Sequence, residues 1–261
     1  MRVIVLLSCM HQKDRAIVAD SNIQTDAIII NQCEVDKIDE FNFINSKGKS
    51  CCVKMIYTTE RGLSRSRNMA IQNAEGDICY ICDDDEKLLD GYEDLIVKTY
   101  ERNSRFDVIT FALTRKNYTY PKNQLKMGIR EILKTSSVQI TFKLNEIREN
   151  SILFDSKMGS GSGNGGGEEN KFLMDCRKKG LKMLYVPEII ARVKSEESQW
   201  FQGFTEKYFK DTFWAARRSM GAALALCYIF YWCIFRSGNY DIKISKLQMI
   251  KSALKGYFEK R

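Results

Sequence analysis

Residues 60–86 read ERGLSRSRNMAIQNAEGDICYICDDDE, and the rest of the chain is arranged around them. Gly62 marks a turn, and the spacing after it predicts a short helix over Ser64–Asn73. Gly76 marks a second turn, which leads into an apolar strand over Asp77–Cys82. Asp83, Asp84 and Asp85 fall where that strand runs out, and ligand sites in open α/β sheets form at the carboxyl ends of strands. Adjoining carboxylates push one another's pKa up, a cost that a divalent cation removes. Oxygen donors of this kind suit Mg²⁺ or Mn²⁺. Along an extended chain residues i and i+2 share a face, which pairs Asp83 with Asp85 as D-x-D and turns Asp84 the other way. An acidic run alone is as often a solvated loop. Here the preceding strand is apolar on both faces, as in a buried central strand feeding a crevice.

Working outward, apolar runs at Val3–Leu7, Asp26–Ile30 and Val53–Tyr57 read as three earlier strands, with a helix over Asp14–Asn22. Strand alternating with helix predicts an α/β fold with a mainly parallel, doubly wound sheet. Beyond the acidic run, Gly91–Asn103 reads as a helix and Asp107–Leu113 as a strand. Thr114–Arg130 is polar and irregular, a hairpin or an acceptor-side loop, and Val138–Leu144 alternates like a half-buried strand. The glycine-rich run Gly159–Gly167 is followed at once by Glu168, Glu169 and Asn170, a helix over Lys171–Lys179 and a strand over Leu181–Val186 ending at Pro187. A linker separates two self-sufficient patterns. This run separates a strand from a single helix–strand pair, so it reads as a mobile loop over a site.

The chain has 261 residues, 44% of them hydrophobic, which suits one large domain or one domain with an appendage. Nine cysteines without framework spacing point to reduced thiols, and Cys79 and Cys82 read as core packing. Val3–Leu7 is too short for a signal-peptide core, so export is not expected. Of the net charge of +8, the seven Lys and four Arg after Thr205, against two Asp and two Glu, supply +7. A nucleic-acid enzyme carries its charge around a groove, so no nucleic-acid partner is expected. Met220–Phe235 is an uncharged run of 16 residues, just under the lower limit of about 17 for a spanning helix. After it, Ile244, Leu247, Ile250, Leu254 and Tyr257 recur at helical spacing, with Lys243, Lys246, Lys251, Lys255 and Lys260 on the polar side. An apolar face with a Lys-rich face describes a helix lying in the headgroup layer of an anionic membrane. A helix hairpin packed on the sheet is the plainer reading. The expected division is a catalytic domain at 1–204 and a helical, membrane-associated tail at 205–261.

The order ERGLSRSRNMAI…GDICYICDDD, then FDSKMGSGSGNGGGEENKFLMDC, resembles family 2 glycosyltransferases of the GT-A fold over about residues 1–200. With the SQWFQGFTEKYF stretch and the tail, the chain is similar to bacterial members that build capsule, O-antigen or exopolysaccharide units on a lipid carrier. The resemblance implies an inverting transfer from a nucleotide sugar, usually a UDP sugar, to a hydroxyl of a glycan or lipid-linked acceptor. It places that work at the cytoplasmic face of the cell membrane. It implies that Asp85 ligates Mn²⁺ or Mg²⁺, with Asp83 sharing the metal or placing ribose and sugar. Ser8, Asn31, Arg61, Arg67, Asn68 and Asp84 would join Asp83 around the donor. Glu169 is the favoured general base with Glu168 its neighbour, and which of the two takes the proton stays open. Trp200 and Phe201 are expected on the acceptor side. Two departures, at Ser8–His11 and Asn31–Gln32, fall where the family frames the nucleotide base. Of the other readings, a sugar-phosphate nucleotidyltransferase would want a Gly-rich phosphate loop with Lys near the first strand and leaves Glu168 and Glu169 unexplained. A non-catalytic membrane-associated module would not need both acid clusters.

Overall fold

In the computed structural model, residues 1–116, 118–194, 203–236, 238 and 244–261 are described. The chain begins with β1 (Val3–Met10), α1 (Ala16–Asp20), β2 (Asp26–Gln32), β3 (Lys37–Ile44), β4 (Ser50–Thr58) and α2 (Leu63–Asn73). There follow β5 (Ile78–Asp83), β6 (Glu86–Leu88), α3 (Tyr92–Arg102), β7 (Val108–Thr114), β8 (Leu125–Lys126), α4 (Ile129–Ile132), β9 (Ile140–Lys143) and α5 (Leu144–Glu149). The last elements are α6 (Glu168–Lys178), β10 (Met183–Val193), α7 (Glu206–Met220), α8 (Ala222–Tyr231) and α9 (Lys246–Phe258).

The runs that are apolar on both faces, β1, β2 and β5, lie buried side by side because only a covered central position suits them. The sheet runs β3-β4-β2-β1-β5-β9-β7-β10-β6, with β8 beside β10. Strands β4, β2, β1 and β5 are parallel. β9 enters antiparallel between β5 and β7, and β7 pairs parallel with β10. The result is the expected mixed, mainly parallel α/β sheet, with a hydrophobic core on each face.

Three elements depart from the sequence reading. Lys37–Ile44 forms a strand that the sequence reading does not assign, hairpinned onto β4 at the sheet edge. Phe41 and Phe43 are only half-buried and Ile38 and Ile44 are exposed, so its apolar residues form no buried run. β10 runs through Pro187 to Val193 instead of stopping there. The register with β7 shifts between Tyr185 and Ile189, and an irregularity of that kind is where a strand tolerates a proline. Asp84 and Asp85 occupy a turn between β5 and β6, so the i, i+2 geometry of an extended strand does not reach Asp85.

The described residues after Thr205 pack on the sheet domain. Phe209, Phe213, Met220, Ile229, Trp232, Met249 and Tyr257 join the same core as Ile81, Phe142 and Phe172. α9 lies so close across α7 that a Cβ on Gly256 would overlap the Lys210 carbonyl. Among the described residues no helix is long and apolar enough to cross a membrane.

Candidate active site

Ser8, on β1, sits opposite Asp83 in the β1–β5 register, so the ends of the central strands come together at the acidic run. α2 lies beside them and delivers Arg67 into the interior, where it is 1% exposed. Arg67 Nη2 donates to both Asp83 oxygens, at 3.0 and 2.9 Å, and Nη1 donates to Glu168 Oε1 at 3.0 Å. Burial opposes the charge, but Asp83, Glu168 and Glu169 outweigh it and hold the guanidinium pKa above its ordinary value. The acidic turn after β5 and the start of α6 are therefore one site, joined through a single side chain.

The glycine run brings Glu168 and Glu169 there. Ser160 O accepts from Leu63 N at 2.9 Å, and Met158 O accepts from Ser64 Oγ at 2.8 Å, which docks the run on the N-terminus of α2. Gly159 has φ +91°, and a Cβ there would stand 3.1 Å from the Glu168 carboxyl carbon and from Ser64 Oγ. Only glycine fits that conformation and that space without strain. Gly165 packs on Asp211 of α7, where a Cβ would come within 2.8 Å. Arg261 adds a further tie, donating to Asn164 Oδ1 and Asp211 Oδ1, both at 2.7 Å. The loop expected to be mobile is docked on both sides.

Glu169 is half-buried beside Glu168. Loss of solvent and then the Glu168 charge push its carboxyl up to about 8. Asp84 and Asp85 are raised first by desolvation and then by the charge of Asp83, with Asp84 adding to Asp85. Glu86, 1% exposed, is raised well above the usual carboxylate range by burial, then by Asp83 and Asp85. Its Oε2 has no hydrogen-bond partner. The sequence reading passed over this fourth acid, although it directly follows the three aspartates.

The remaining expected residues are placed as follows. Ser8 is buried and receives a hydrogen bond from Ser66 Oγ at 2.8 Å. Asn31 spends its amide on the backbone of Gln12, at 3.0 and 2.8 Å, and so fixes the loop after β1. Asn68 clamps Phe154, donating to its carbonyl and accepting from its N–H, each at 2.8 Å. Arg61 pairs with Glu34 at 2.6 Å at the rim. Arg67 and Asn68 were expected to face the donor, but in this structure they hold protein groups. Burial accounts for this at Arg67, because a fully enclosed guanidinium is met by fixed carboxylates. Trp200 and Phe201 lie outside the described residues.

The acidic turn suits a divalent cation. Asp84 and Asp85 stay crowded by like charge in a partly desolvated place, and a cation removes that cost. Among the described residues no three His, Cys, Asp or Glu side chains form a complete cage. A cation held at the turn would therefore have to be completed by donors from outside the protein, such as phosphate oxygens.

The sequence profile of the family described as glycosyl transferase family 2 matches residues 6–162. Among solved structures, residues 1–349 of S. aureus TarS are 14% identical, with a TM-score of 0.58 over 99% of this chain and 72% of that one. The same part of TarS in complex with UDP-GlcNAc is 14% identical, with a TM-score of 0.60 over 99% and 73% of the two chains. A longer S. aureus TarS structure is 13% identical, with a TM-score of 0.62 over 94% of this chain and 46% of that one. At such identities the likeness is one of fold. No curated protein matches the sequence. A profile match over more than half the chain, on a sheet whose central strand ends in the acidic turn, identifies the chain as a member of glycosyl transferase family 2, a glycosyltransferase of the GT-A fold.

Proposed function

We propose that this glycosyltransferase moves a sugar, with inversion, from a UDP-linked donor to a hydroxyl of a glycan or lipid-linked acceptor in bacterial surface polysaccharide synthesis. The observation that carries the reading is the Arg67 bridge, which sets the acidic turn and the Glu168–Glu169 pair within one site. The TarS structures, solved with UDP-GlcNAc and with UDP, support a nucleotide-sugar donor.

Asp85 is the residue best suited to hold Mn²⁺ or Mg²⁺, since both Asp83 oxygens accept from Arg67. Such an ion supplies charge stabilisation to the departing diphosphate. The Glu169 carboxylate takes the proton of the acceptor hydroxyl as that oxygen bonds to the anomeric carbon. The bond from that carbon to the diphosphate breaks, and its electron pair leaves with the diphosphate. Arg67 is a positioning residue: it fixes Glu168 and with it the first turn of α6. Glu168 is occupied by Arg67, which favours Glu169 as the base.

The surface of α8 supports a seat on the membrane. Leu224, Phe230 and Tyr231 are exposed on α8, and Ile234 and Phe235 on the helical turn that follows it (Trp232–Arg236), while Ala225, Ile229 and Trp232 face the core. A helix apolar all round requires cover on its outer side, and exposed Lys246, Lys251 and Lys255 on α9 match anionic headgroups. The cytoplasmic leaflet of the cell membrane is that surface.

Metal-dependent release of UDP from a panel of UDP sugars tests the reading. Release that needs Mn²⁺ or Mg²⁺ supports it. Pyrophosphate formation from a nucleoside triphosphate and a sugar phosphate would point to a nucleotidyltransferase instead.

A further inference from the structure

Residues 159–167 are the part of the site least able to fix themselves. A run that is mostly glycine loses the most conformational freedom on folding and offers no side chains to pack. Asn164 is the only residue in it with a side chain larger than that of serine. What selects one conformation has to come from outside the run. The start of α6, with Glu168 and Glu169, follows whatever conformation is selected, because Gly167 adjoins it and its carbonyl accepts from Lys171 N at 2.9 Å.

One face of α7 supplies that hold. Asp211, Trp214, Ala215 and Arg218 stand at i, i+3, i+4 and i+7, a single stripe of the helix. All four meet the run or the residues leading into it. Arg218 forks onto Asp155, Trp214 and Ala215 form a small buried cluster with Met158, and Gly165 packs on Asp211. The opposite face, with Phe209, Phe213 and Ala216, fills the core.

Arg261 closes the contact. It donates through Nη1 to Asn164 Oδ1 and through Nη2 to Asp211 Oδ1, both at 2.7 Å. One guanidinium thus bridges the longest side chain of the run to the helix that holds it. Asn164 Nδ2 donates in turn to the Lys157 carbonyl at 2.8 Å, and Lys157 Nζ donates to the Arg261 carbonyl at 3.0 Å. Glu259 Oε2 accepts from Arg261 Nε at 3.0 Å, and the guanidinium lies over the Trp214 ring, 5.1 Å from its centroid. The Arg261 and Asp211 side chains are only 16% and 9% exposed, so this bridge differs from the solvated surface pairs that contribute little.

We infer that Arg261 is a positioning residue for the transfer: through Asn164 and Asp211 it locks residues 159–167 on α7 and so sets where the acids of α6 stand. A small misplacement of a reacting group is enough to slow chemistry, even when the change lies away from it. The effect of Arg261 on rate rests on the glycosyltransferase reading; its hold on the run does not.

Arg261→Ala, Arg261→Lys and Asn164→Ala are compared with the parent as full chains. The readouts are hydrogen exchange, melting, calorimetric binding of UDP with Mn²⁺, and UDP release from the most active donor of the UDP-sugar panel. In Arg261→Ala the amides of residues 159–169 are expected to exchange about tenfold or more faster, with β1, β2 and β5 protected as in the parent. Release at saturating donor falls about tenfold or more, while UDP affinity, donor KM and melting temperature stay near those of the parent. Asn164→Ala, which removes the other end of the bridge without removing a charge, reproduces both effects. Arg261→Lys keeps the charge but not the fork that spans two acceptors, so it lies between Arg261→Ala and the parent. Parent-like exchange of residues 159–169 in Arg261→Ala, or a parent-like rate despite faster exchange, overturns the inference. So does a joint loss of stability, UDP binding and rate, which is what a merely structural tie would give. If the parent releases no UDP from any sugar, the glycosyltransferase reading fails instead, and the exchange comparison still judges the lock.

Discussion

Arg67 and Glu168, 101 residues apart in the chain, meet at 3.0 Å in the interior and tie the helix before β5 to the helix after the glycine run. Both side chains are almost fully enclosed, at 1% and 7% exposure. Removing one member of a buried ion pair strands the other, at a cost of about 3–5 kcal/mol. Arg67→Ala is expected to lower the melting temperature and to abolish transfer. Arg67→Lys keeps the charge but not the fork, so it should regain part of the stability and little of the activity. Melting curves with a transfer assay check this; an Arg67→Ala protein as stable and active as the parent contradicts it.

Glu169→Gln keeps the shape and removes the base. Transfer should fall about 10²–10⁴-fold, with donor binding intact. In the parent the carboxyl is raised to about 8, so the acid limb of the pH–rate profile should lie near there, activity rising with pH as the carboxylate forms. The same shift sets a stability difference. A group whose pKa is raised on folding favours the native state below its unfolded pKa, and that contribution fades as pH climbs through the folded value. Glu169→Gln should therefore gain on the parent in stability from the unfolded glutamate range, about 4.3, up to about 8. Denaturant curves across that window show the crossover.

Two neighbouring glycines should behave differently. A Cβ on Gly165 lands 2.8 Å from Asp211 Cβ, whereas one on Gly166 meets only Glu168 Oε2 at an ordinary 3.8 Å. Gly165→Ala is expected to cost about 1–3 kcal/mol by overpacking and to lower transfer more than tenfold, since the shifted run carries α6. Gly166→Ala should leave both near the parent. Equal effects from the two would mean that docking against α7 does not set the loop.

The apolar outer side of α8 and of the helical turn after it makes a separate prediction. Phe230 and Ile234 are 59% and 67% exposed, so aspartate at both leaves the core untouched. The double variant should melt like the parent yet partition at least tenfold less onto vesicles containing phosphatidylglycerol. Unchanged partition would remove the membrane seat. Cutting the chain at Thr205 is not the equivalent experiment, because it would uncover the core that Phe209 and Phe213 fill.

How much was legible followed from what each residue type reveals about its surroundings. β1, β2, β5 and β7 announced themselves because only buried strands tolerate apolar residues on both faces. β3 was hidden because its apolar residues divide between a half-buried face (Phe41, Phe43) and an exposed one (Ile38, Ile44), and β10 was cut short because Pro187 reads as a stop until the register shift is seen. The acids were found by their spacing. The burial of Arg67 was not, since the sequence gives its charge without the two carboxylates that long-range folding brings to it. The tail stayed ambiguous for a similar reason: an amphipathic pattern has the same period whether its apolar face meets a protein core or lipid. Here α7 and α9 meet the core, and α8 keeps an apolar side outward.

The central claim is that Asp85 and Glu169 act on the two ends of one transfer. The measurement that tests it most directly follows UDP binding by calorimetry, with and without Mn²⁺, alongside transfer, in the parent, Asp85→Asn and Glu169→Gln. The expected result is Mn²⁺-dependent UDP binding that Asp85→Asn loses and Glu169→Gln keeps, with transfer nearly abolished in both. Metal-independent UDP binding unaffected by Asp85→Asn, or a Glu169→Gln protein transferring sugar at the parent rate, would contradict it.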